Sequence, residues 1–481
     1  VYGVCEDITF FNLYGYPIVS GCVVGKWEVP VAMTIAGVDS GGGAGVAADL
    51  KTFAALGVHG TLAVTALTAQ NTYSVVGVLE VPPEFVELQV RAVWEDMGID
   101  AAKSGMLSSS PIVRSVARVV RSYGFPLVVD PVMVAKSGAR LLADEAVETL
   151  KRELIPVAKV VTPNKYEAEI LSGLKIEKVE DAEEAAKVIA RDLGVEAVVV
   201  KGGHLPVGGV VVDVVLIGGT LRRLEGGAVE GCTHGTGCSF SAAIAANLAK
   251  GLPVLDSIVE AKKFITTAIS RAYKVGRGSC PVNPTAYLEL DAELYRAQKA
   301  LAAALERVES EPVSSLLAKV IPEVQSNLVY AVPRHLAKSV ADVVGVPGRI
   351  VRYFDRVKVF GYPQPGASHH MARLVLEAMR LDPAVRSSMN IRYSEDFLRV
   401  AKELGMCVAA VDRREEPEEV KKVEGASLPW MLRKAVEQVG RVPDLLADPG
   451  DVGKEPMIRV FGRTPNEVLD KVIRIASRVY R

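Results

Sequence analysis

Between residue 29 and about residue 285, short apolar runs alternate with amphipathic stretches. "VPVAMTIAG", "TLAVTAL", "AAKSGML", "FPLVVDPV", "AKVVTPN" and "EAVVVKGG" are rich in β-branched residues. Each closes on small or turn-forming ones, which predicts buried strands. Between several of them, "SSPIVRSVARVVRSYG" and "DAEEAAKVIARDLG" repeat apolar residues at helical spacing. Strands alternating with helices predict an α/β fold, a mainly parallel sheet covered by helices on both faces. "VVDVVLIGGTLRRLEG" reads as a hairpin and predicts an antiparallel edge.

The alternation stops near residue 290. "DAELYRAQKALAAALERVE" (291–309) reads as one exposed helix, and "SEPVSS" after it suits a linker. Residues 316–481 form a second mixed pattern of helix and strand, expected to be a smaller α/β domain. The predicted division is an extension over 1–28 with no assigned role, a first domain over 29–290, a linker helix over 291–315 and a second domain over 316–481. A chain of 481 residues exceeds one ordinary core, which agrees with that division.

Composition narrows the class without naming a function. A formal net charge of −1 gives no basic excess to draw nucleic acid. No apolar run reaches the length of a membrane span, and the first stretch lacks the basic start of a signal peptide. The six cysteines are scattered without zinc-ligand spacing, so free thiols in a reducing cytoplasm are expected, with Cys232 dispensable. Asn and Gln together number 14, a lean toward a thermophile.

The candidate chemistry sits where an open α/β sheet binds ligands, beyond the carboxyl ends of its strands. "AGVDSGGGAG", "TAQNT", "KSGM", "VDPVM", "TPNKYE" and "KGGH" each follow an apolar run. Any one could be an ordinary turn, and "KSG" recurs at 136; six on one edge argue for a site. "HGTGC" opening a helix is more specific, because glycine-turn N–H groups at a helix N-terminus make an anion hole, here Gly235 and Gly237. Asp130 and Glu167 offer hard oxygen ligands for Mg²⁺, and Lys201 can neutralise phosphate. No G-x-x-x-x-G-K-[ST] occurs at a strand–helix join, so this is a phosphoryl-transfer constellation without a P-loop.

In order, "AGVDSGGGAGVAADLKTFAALGVHG", "TALTAQNT", "SGML", "DPVMVAKSG", "TPNKYEAE", "KGGH" and "THGTGCSFSAAIA" resemble the motifs of the hydroxymethylpyrimidine/phosphomethylpyrimidine kinase family of thiamine biosynthesis. The resemblance covers about 31–285 and implies a ribokinase-like fold using ATP and Mg²⁺. It makes Cys238 the base facing the substrate hydroxymethyl group. A helix N-terminus lowers a thiol's pKa, so a partial thiolate is expected there. It further implies that Gln70 bonds the pyrimidine edge, with Gly37, Asp39, Ala44, Met106 and Val132 lining that pocket. Asn164 and Glu167 would position metal and phosphate, Lys201 would meet the ATP phosphates, and Lys262 would flank the nucleotide. A kinase of the same fold acting on pyridoxal is the alternative, since fold does not fix substrate.

In the second domain, residues 346–393 concentrate Arg349, Arg352, Arg356, His369, His370, Arg373, Arg386 and Arg392. Arg forks suit an anionic ligand, and a solvated surface is the plain alternative. "GVPGRI", "PGASHHMAR", "MNIRY" and "DPGDVGKEPMIRVFG" are similar to the archaeal-type thiamine phosphate synthase domain, over about 317–481. The similarity implies that Arg349 and His370 are the catalytic pair. The same domain type also serves as a non-catalytic thiamine phosphate sensor; no DNA-binding partner module is read here. Partners are expected to be small molecules, namely hydroxymethylpyrimidine, its phosphates and thiazole phosphate. Neither nucleic acid nor membrane is expected, and the chain should form a homo-oligomer, taken as a dimer.

Overall fold

The computed structural model describes residues 10–11, 17–18, 27–134, 142–204, 209–451 and 453–480. Most of the extension, with Cys5 and Cys22, and the second "KSG" at 136–138 lie outside the described residues. The chain divides between Tyr287 and Leu288 into two compact units.

In the first unit, a two-residue pair, β1 (Phe10–Phe11) and β2 (Pro17–Ile18), precedes a nine-stranded sheet. Its strands are β3 (Val31–Asp39), β4 (His59–Gln70), β5 (Val75–Glu80), β6 (Ala101–Ser104), β7 (Leu127–Val129), β8 (Val160–Val161), β9 (Ala197–Val200), β10 (Val210–Ile217) and β11 (Thr220–Gly227). They lie in the order β11-β10-β9-β8-β7-β6-β3-β4-β5, and the six from β9 to β4 run parallel. The predicted hairpin is β10–β11, turned by Gly218 and Gly219, both at positive φ. A second antiparallel edge, β5 against β4, was not expected; most of its side chains face out, so it lacks a buried-strand signature.

Both sheet faces are covered. Met33 and Ile35 of β3 enter one apolar core while Ala32 enters the other, the alternation a pleated strand imposes. The helix Ser110–Tyr123 buries Ile112, Val113, Val116, Ala117 and Val120 as one stripe and stops at Gly124 in the left-handed conformation. The helix Thr236–Ala249 is mostly small residues and buries nine in a row from Ser239 to Asn247, so it lies against the sheet.

The second unit holds β12 (Leu328–Ala331), β13 (Val343–Gly345), a separate hairpin β14 (Ile350–Tyr353) and β15 (Arg356–Val359), then β16 (Gln364–Pro365), β17 (Ser387–Arg392), β18 (Val408–Ala410), β19 (Leu445–Asp448) and β20 (Met457–Gly462). Its seven-stranded sheet has the order β16-β13-β12-β17-β20-β19-β18, with only β18 and β19 parallel. Two expectations are corrected. The helix at 291–309 runs Ala286–Glu309 and is not an exposed linker, because it buries Leu294, Ala297, Leu301, Ala304, Leu305 and Val308. "SEPVSS" runs into a further helix, Val313–Ala318, that buries Ser314.

The cysteines are also corrected. Cys232 and Cys280 form a disulfide across 48 positions, so Cys232 is not a spare thiol; Cys238 and Cys407 are free. No helix among the described residues is long and apolar enough to cross a membrane.

Candidate active site

The parallel strands of the first unit end on one edge, and the chain changes direction between β3 and β6, the point at which open α/β sheets bind ligands. The loop after β3 is built on Asp39. Its carboxylate accepts N–H bonds from Gly41 (2.8 Å), Gly43 (3.1 Å) and Ala44 (2.9 Å), and His234 Nε2 lies 2.9 Å from Oδ2. Burial works to raise the Asp39 pKa, but the His234 and backbone hydrogen bonds outweigh it and hold the carboxyl below its usual range. Asp39 therefore organises the loop, and its acceptors are already committed.

That loop brings several expected pocket residues together. A Cβ on Gly45, at φ +55°, would lie 2.2 Å from the Gly37 carbonyl oxygen, and one on Gly37 would lie 3.0 Å from Met106 Sδ. Ser40 and Gln70 are tied reciprocally: Gln70 N–H donates to Ser40 Oγ and Ser40 O–H donates to the Gln70 carbonyl, both at 2.8 Å. Ala44 precedes the helix Gly45–Ala55, and Val132 sits half-buried just past β7. Gly37, Ala44, Met106 and Gln70 thus gather around one loop.

The "HGTG" turn meets this loop backbone to backbone. Gly235, at φ +79°, precedes the helix Thr236–Ala249, and a Cβ there would lie 1.9 Å from the Gly43 carbonyl oxygen. A Cβ on Gly237 would lie 3.1 Å from Lys201 Nζ and 3.4 Å from Asp130 Oδ2. Lys201 Nζ is 2.8 Å from Asp130 Oδ1, which also accepts from Thr162 Oγ1 at 3.3 Å. The helix terminus, the ammonium and the carboxylate therefore share one spot.

Asn164 and Glu167 form a reciprocal cap at a helix start: Asn164 N–H donates to Glu167 Oε2 (2.7 Å) and Glu167 N–H to Asn164 Oδ1 (3.0 Å). Burial pushes the Glu167 carboxyl up to about 7, with Lys201 opposing and Asp130 reinforcing the rise. Its carboxylate also takes the Met133 N–H. Lys262 Nζ lies 2.7 Å from Asp213 Oδ2, whose other oxygen accepts the Gly202 N–H at 2.7 Å, so Lys262 braces the "KGGH" turn.

Cys238 departs from expectation. Burial pushes its thiol up to about 11, against the downward pull of Lys103, while Asp49 and Asp130 add to the rise. Desolvation outweighs the helix N-terminus, and the resting group is a thiol. The Gly45 N–H is its backbone donor.

No group of three or more His, Cys, Asp or Glu among the described residues could hold a metal ion by itself. Asp130 and Glu167 still fit Mg²⁺ arriving with nucleotide phosphates, since that ion keeps several waters. Asp130 Oδ2 faces Gly237, while Glu167 has spent its oxygens on N–H groups and suits contact through water.

In the second unit the Arg cluster disperses. Arg386 donates to the Ala331 carbonyl and stacks over Tyr330, Arg356 pairs with Glu311, and Arg352 Nε donates to the Phe354 carbonyl. Arg349, at φ +63°, is exposed and donates to the Val324 carbonyl. Its loop is anchored by Asn327, which accepts from Val346 N–H (3.0 Å) and donates to the Val346 carbonyl (2.8 Å). His370 lies in the first turn of the helix His369–Leu381. A Cβ on Gly345 would lie 3.3 Å from the Cβ of Ser368, the residue just before that helix, and 3.4 Å from Asn327 Oδ1. The loop of Arg349 and the helix of His370 thus both start beside Gly345, though no hydrogen bond joins the two residues among those described.

Sequence reasoning missed His234, Lys103 and Asp49 as site residues. It also missed a buried row in which Asp448 accepts from Arg413 Nε (2.8 Å) and from an Arg459 guanidinium nitrogen (3.0 Å). His234 was legible inside "HGTGC"; the others look like ordinary strand or helix residues.

Residues 39–283 match the family model described as phosphomethylpyrimidine kinase, and residues 300–474 match that of thiamine-phosphate synthase ThiN. The chain is 47% identical over 258 residues to a hydroxymethylpyrimidine/phosphomethylpyrimidine kinase of Rhizobium meliloti, covering 53% of this chain and 96% of that protein. It is 47% identical over 253 residues to the thiamine biosynthesis bifunctional protein ThiED of Geobacter sulfurreducens, covering 52% of this chain and 51% of that one. Among solved structures, an ADP complex of Bacillus subtilis pyridoxal kinase aligns with TM-score 0.51 at 38% identity, covering 54% of this chain and 98% of that one.

Proposed function

The chain belongs to the phosphomethylpyrimidine kinase family, and from that premise we propose how its residues divide the chemistry. It is a thiamine-biosynthesis enzyme with a kinase domain followed by a thiamine-phosphate synthase domain, and the kinase domain binds ATP. The observation that carries the site reading is Gly237 facing Lys201 and Asp130, one residue before Cys238.

In the first step the hydroxymethyl oxygen of 4-amino-5-hydroxymethyl-2-methylpyrimidine attacks the γ-phosphorus of ATP. A P–O bond forms, the bond to the β-phosphate oxygen breaks, and ADP leaves. The N–H groups at Gly235 and Gly237, with Lys201, take the charge that builds on the transferring group. The hydroxyl proton passes to Cys238 in its thiolate form, a minority of the resting population. In the second round a phosphate oxygen of the monophosphate is the nucleophile, giving the pyrophosphate. Asp130, and Glu167 through water, would hold Mg²⁺, which offsets phosphate charge when bound. Gln70 fixes the ring edge beside Gly37, Ala44, Val132 and Met106, and Asp39 with His234 holds that loop in place. Asn164 fixes Glu167, and Lys262 acts through the Gly202 turn.

The second unit then condenses the pyrophosphate with 4-methyl-5-(2-phosphoethyl)-thiazole. The C–O bond to pyrophosphate breaks, a C–N bond to the thiazole nitrogen forms, and thiamine phosphate and pyrophosphate leave. Arg349 suits the leaving group as a permanent cation, and His370 as a hydrogen-bond donor. Leu67 on β4 and Leu79 on β5 are cross-strand partners with exposed apolar side chains, which supports self-association through that face. Steady-state assays with the pyrimidine alcohol and pyridoxal test the substrate; a preference for pyridoxal contradicts this reading.

A further inference from the structure

Under the anion hole lies a charge pair that the phosphoryl-transfer chemistry leaves unexplained. Lys103 on β6 and Thr34 on β3 are register partners, side by side on the sheet face covered by the helices Gly45–Ala55 and Thr236–Ala249. Lys103 is completely buried, its Nζ 2.8 Å from Asp49 Oδ2, which also accepts Thr34 Oγ1 at 2.6 Å. Asp49 Oδ1 is buried without a hydrogen-bond partner among the described residues. A Lys–Asp pair with no exposure is a poor source of stability, because removing two charges from water costs about what their attraction returns. Its retention calls for another account.

The geometry links the pair to Cys238. The Gly45 N–H is the backbone donor to Cys238, and Asp49 lies four residues on, on the same face of that helix one turn deeper. Lys103 also reaches toward the carboxyl end of its strand, where the site lies: a Cβ on Gly105 would meet its Nζ at 2.6 Å. Any side chain at 105 would displace the ammonium, which gives the glycine of "KSGM" a reason.

We propose that Lys103, anchored by Asp49, is a positioning residue whose fixed positive charge favours the thiolate of Cys238 as the substrate proton is transferred. The groups acting on the thiol are Lys103 from β6, Asp49 and the Gly45 N–H from one helix, Asp130 from the end of β7 and Lys201 from the end of β9. Burial works against the charge on Lys103, but Asp49, Cys238 and Asp130 outweigh it, so the ammonium stays charged across the working pH range. Asp49 keeps Lys103 in place and partly cancels its field, so the two should act on Cys238 with opposite sign.

The inference rests on the kinase reading only for its purpose; its test does not. In the full chain, the iodoacetamide reactivity of the Cys238 peptide is followed against pH by mass spectrometry, in wild type, Asp49→Asn and Asp49→Asn/Lys103→Met. The double variant replaces the pair with neutral groups of similar size, which guards against misfolding from an unpaired buried charge. Asp49→Asn should lower the titration midpoint, raising reactivity at pH 8 about tenfold per unit. The double variant should lie at least one unit above Asp49→Asn, and also above wild type. Superimposed profiles for the two variants overturn the inference, whatever the kinase assay gives. A responsive thiol in a chain that does not phosphorylate the pyrimidine alcohol supports it, and counts against the proposed function instead.

Discussion

Gly235 and Gly237, two residues apart, should fail in different ways when given a methyl group. At Gly237 the new Cβ would sit 3.1 Å from Lys201 Nζ, a few tenths of an ångström closer than ordinary contact. The neighbour is the far end of a flexible side chain, so the fold can accommodate it, and Ala in place of Gly in a helix gains up to ~1 kcal/mol. Lys201 is tethered to Asp130 at 2.8 Å, however, so its retreat pulls the cation from the transferring phosphoryl group. Losing one well-placed donor of this kind costs ~10²–10³ in kcat, or ~2.7–4 kcal/mol of transition-state stabilisation. At Gly235, φ of +79° costs an L-residue ~1–2 kcal/mol, and the Cβ would lie 1.9 Å from the Gly43 oxygen, which cannot yield without moving the loop. Gly237→Ala should therefore melt at or above the wild-type temperature and turn over ~10²–10³-fold slower; Gly235→Ala should lose both. ADP release with the pyrimidine alcohol, alongside thermal unfolding, reads both. A Gly237→Ala enzyme within about threefold of wild type refutes the shared position of Gly237, Lys201 and the phosphoryl group.

Cys238→Ala should lower kcat ~10²–10⁴-fold and leave nucleotide affinity unchanged by calorimetry. With its thiol up at about 11 against an ordinary 9.0, alkylation of Cys238 at pH 8 should run about a hundredfold slower than for an unperturbed thiol, and kcat/KM should rise with pH toward that value. Cys232→Ser, or reduction, should destabilise the first unit by up to ~4 kcal/mol in the chain-entropy model for a loop of 48 positions, read by denaturant unfolding. Arg349→Ala and His370→Ala should each abolish thiamine phosphate formation and spare ADP release, as a split assay would show.

The strands and their tails were legible because buried parallel strands read as β-branched runs, and a site at their carboxyl ends leaves polar punctuation after each. "HGTGC" was legible as a helix start. The role of Asp39 was not: only the folded loop shows Gly41, Gly43, Ala44 and His234 closing on its carboxylate. Lys103 in "AAKSG" looks like a solvated strand end, and its burial depends on Asp49 arriving from another element. The charge on Cys238 was misjudged because a helix start suggests a lowered thiol, whereas the surrounding burial decides the direction. The pairing of Cys232 with Cys280 has no spacing signature, since two loops bring them together. The helix Ala286–Glu309 did carry an apolar stripe, Leu294, Ala297, Leu301 and Leu305, beneath its charges.

On this reading one chain both makes the pyrimidine pyrophosphate and consumes it. The most direct test supplies the intact chain with the pyrimidine alcohol, ATP, Mg²⁺ and thiazole phosphate and follows ADP, pyrophosphate and thiamine phosphate together by chromatography. Two ADP should form for each thiamine phosphate, with pyrophosphate released in step with it. ADP release with the pyrimidine pyrophosphate accumulating and no thiamine phosphate formed would contradict it.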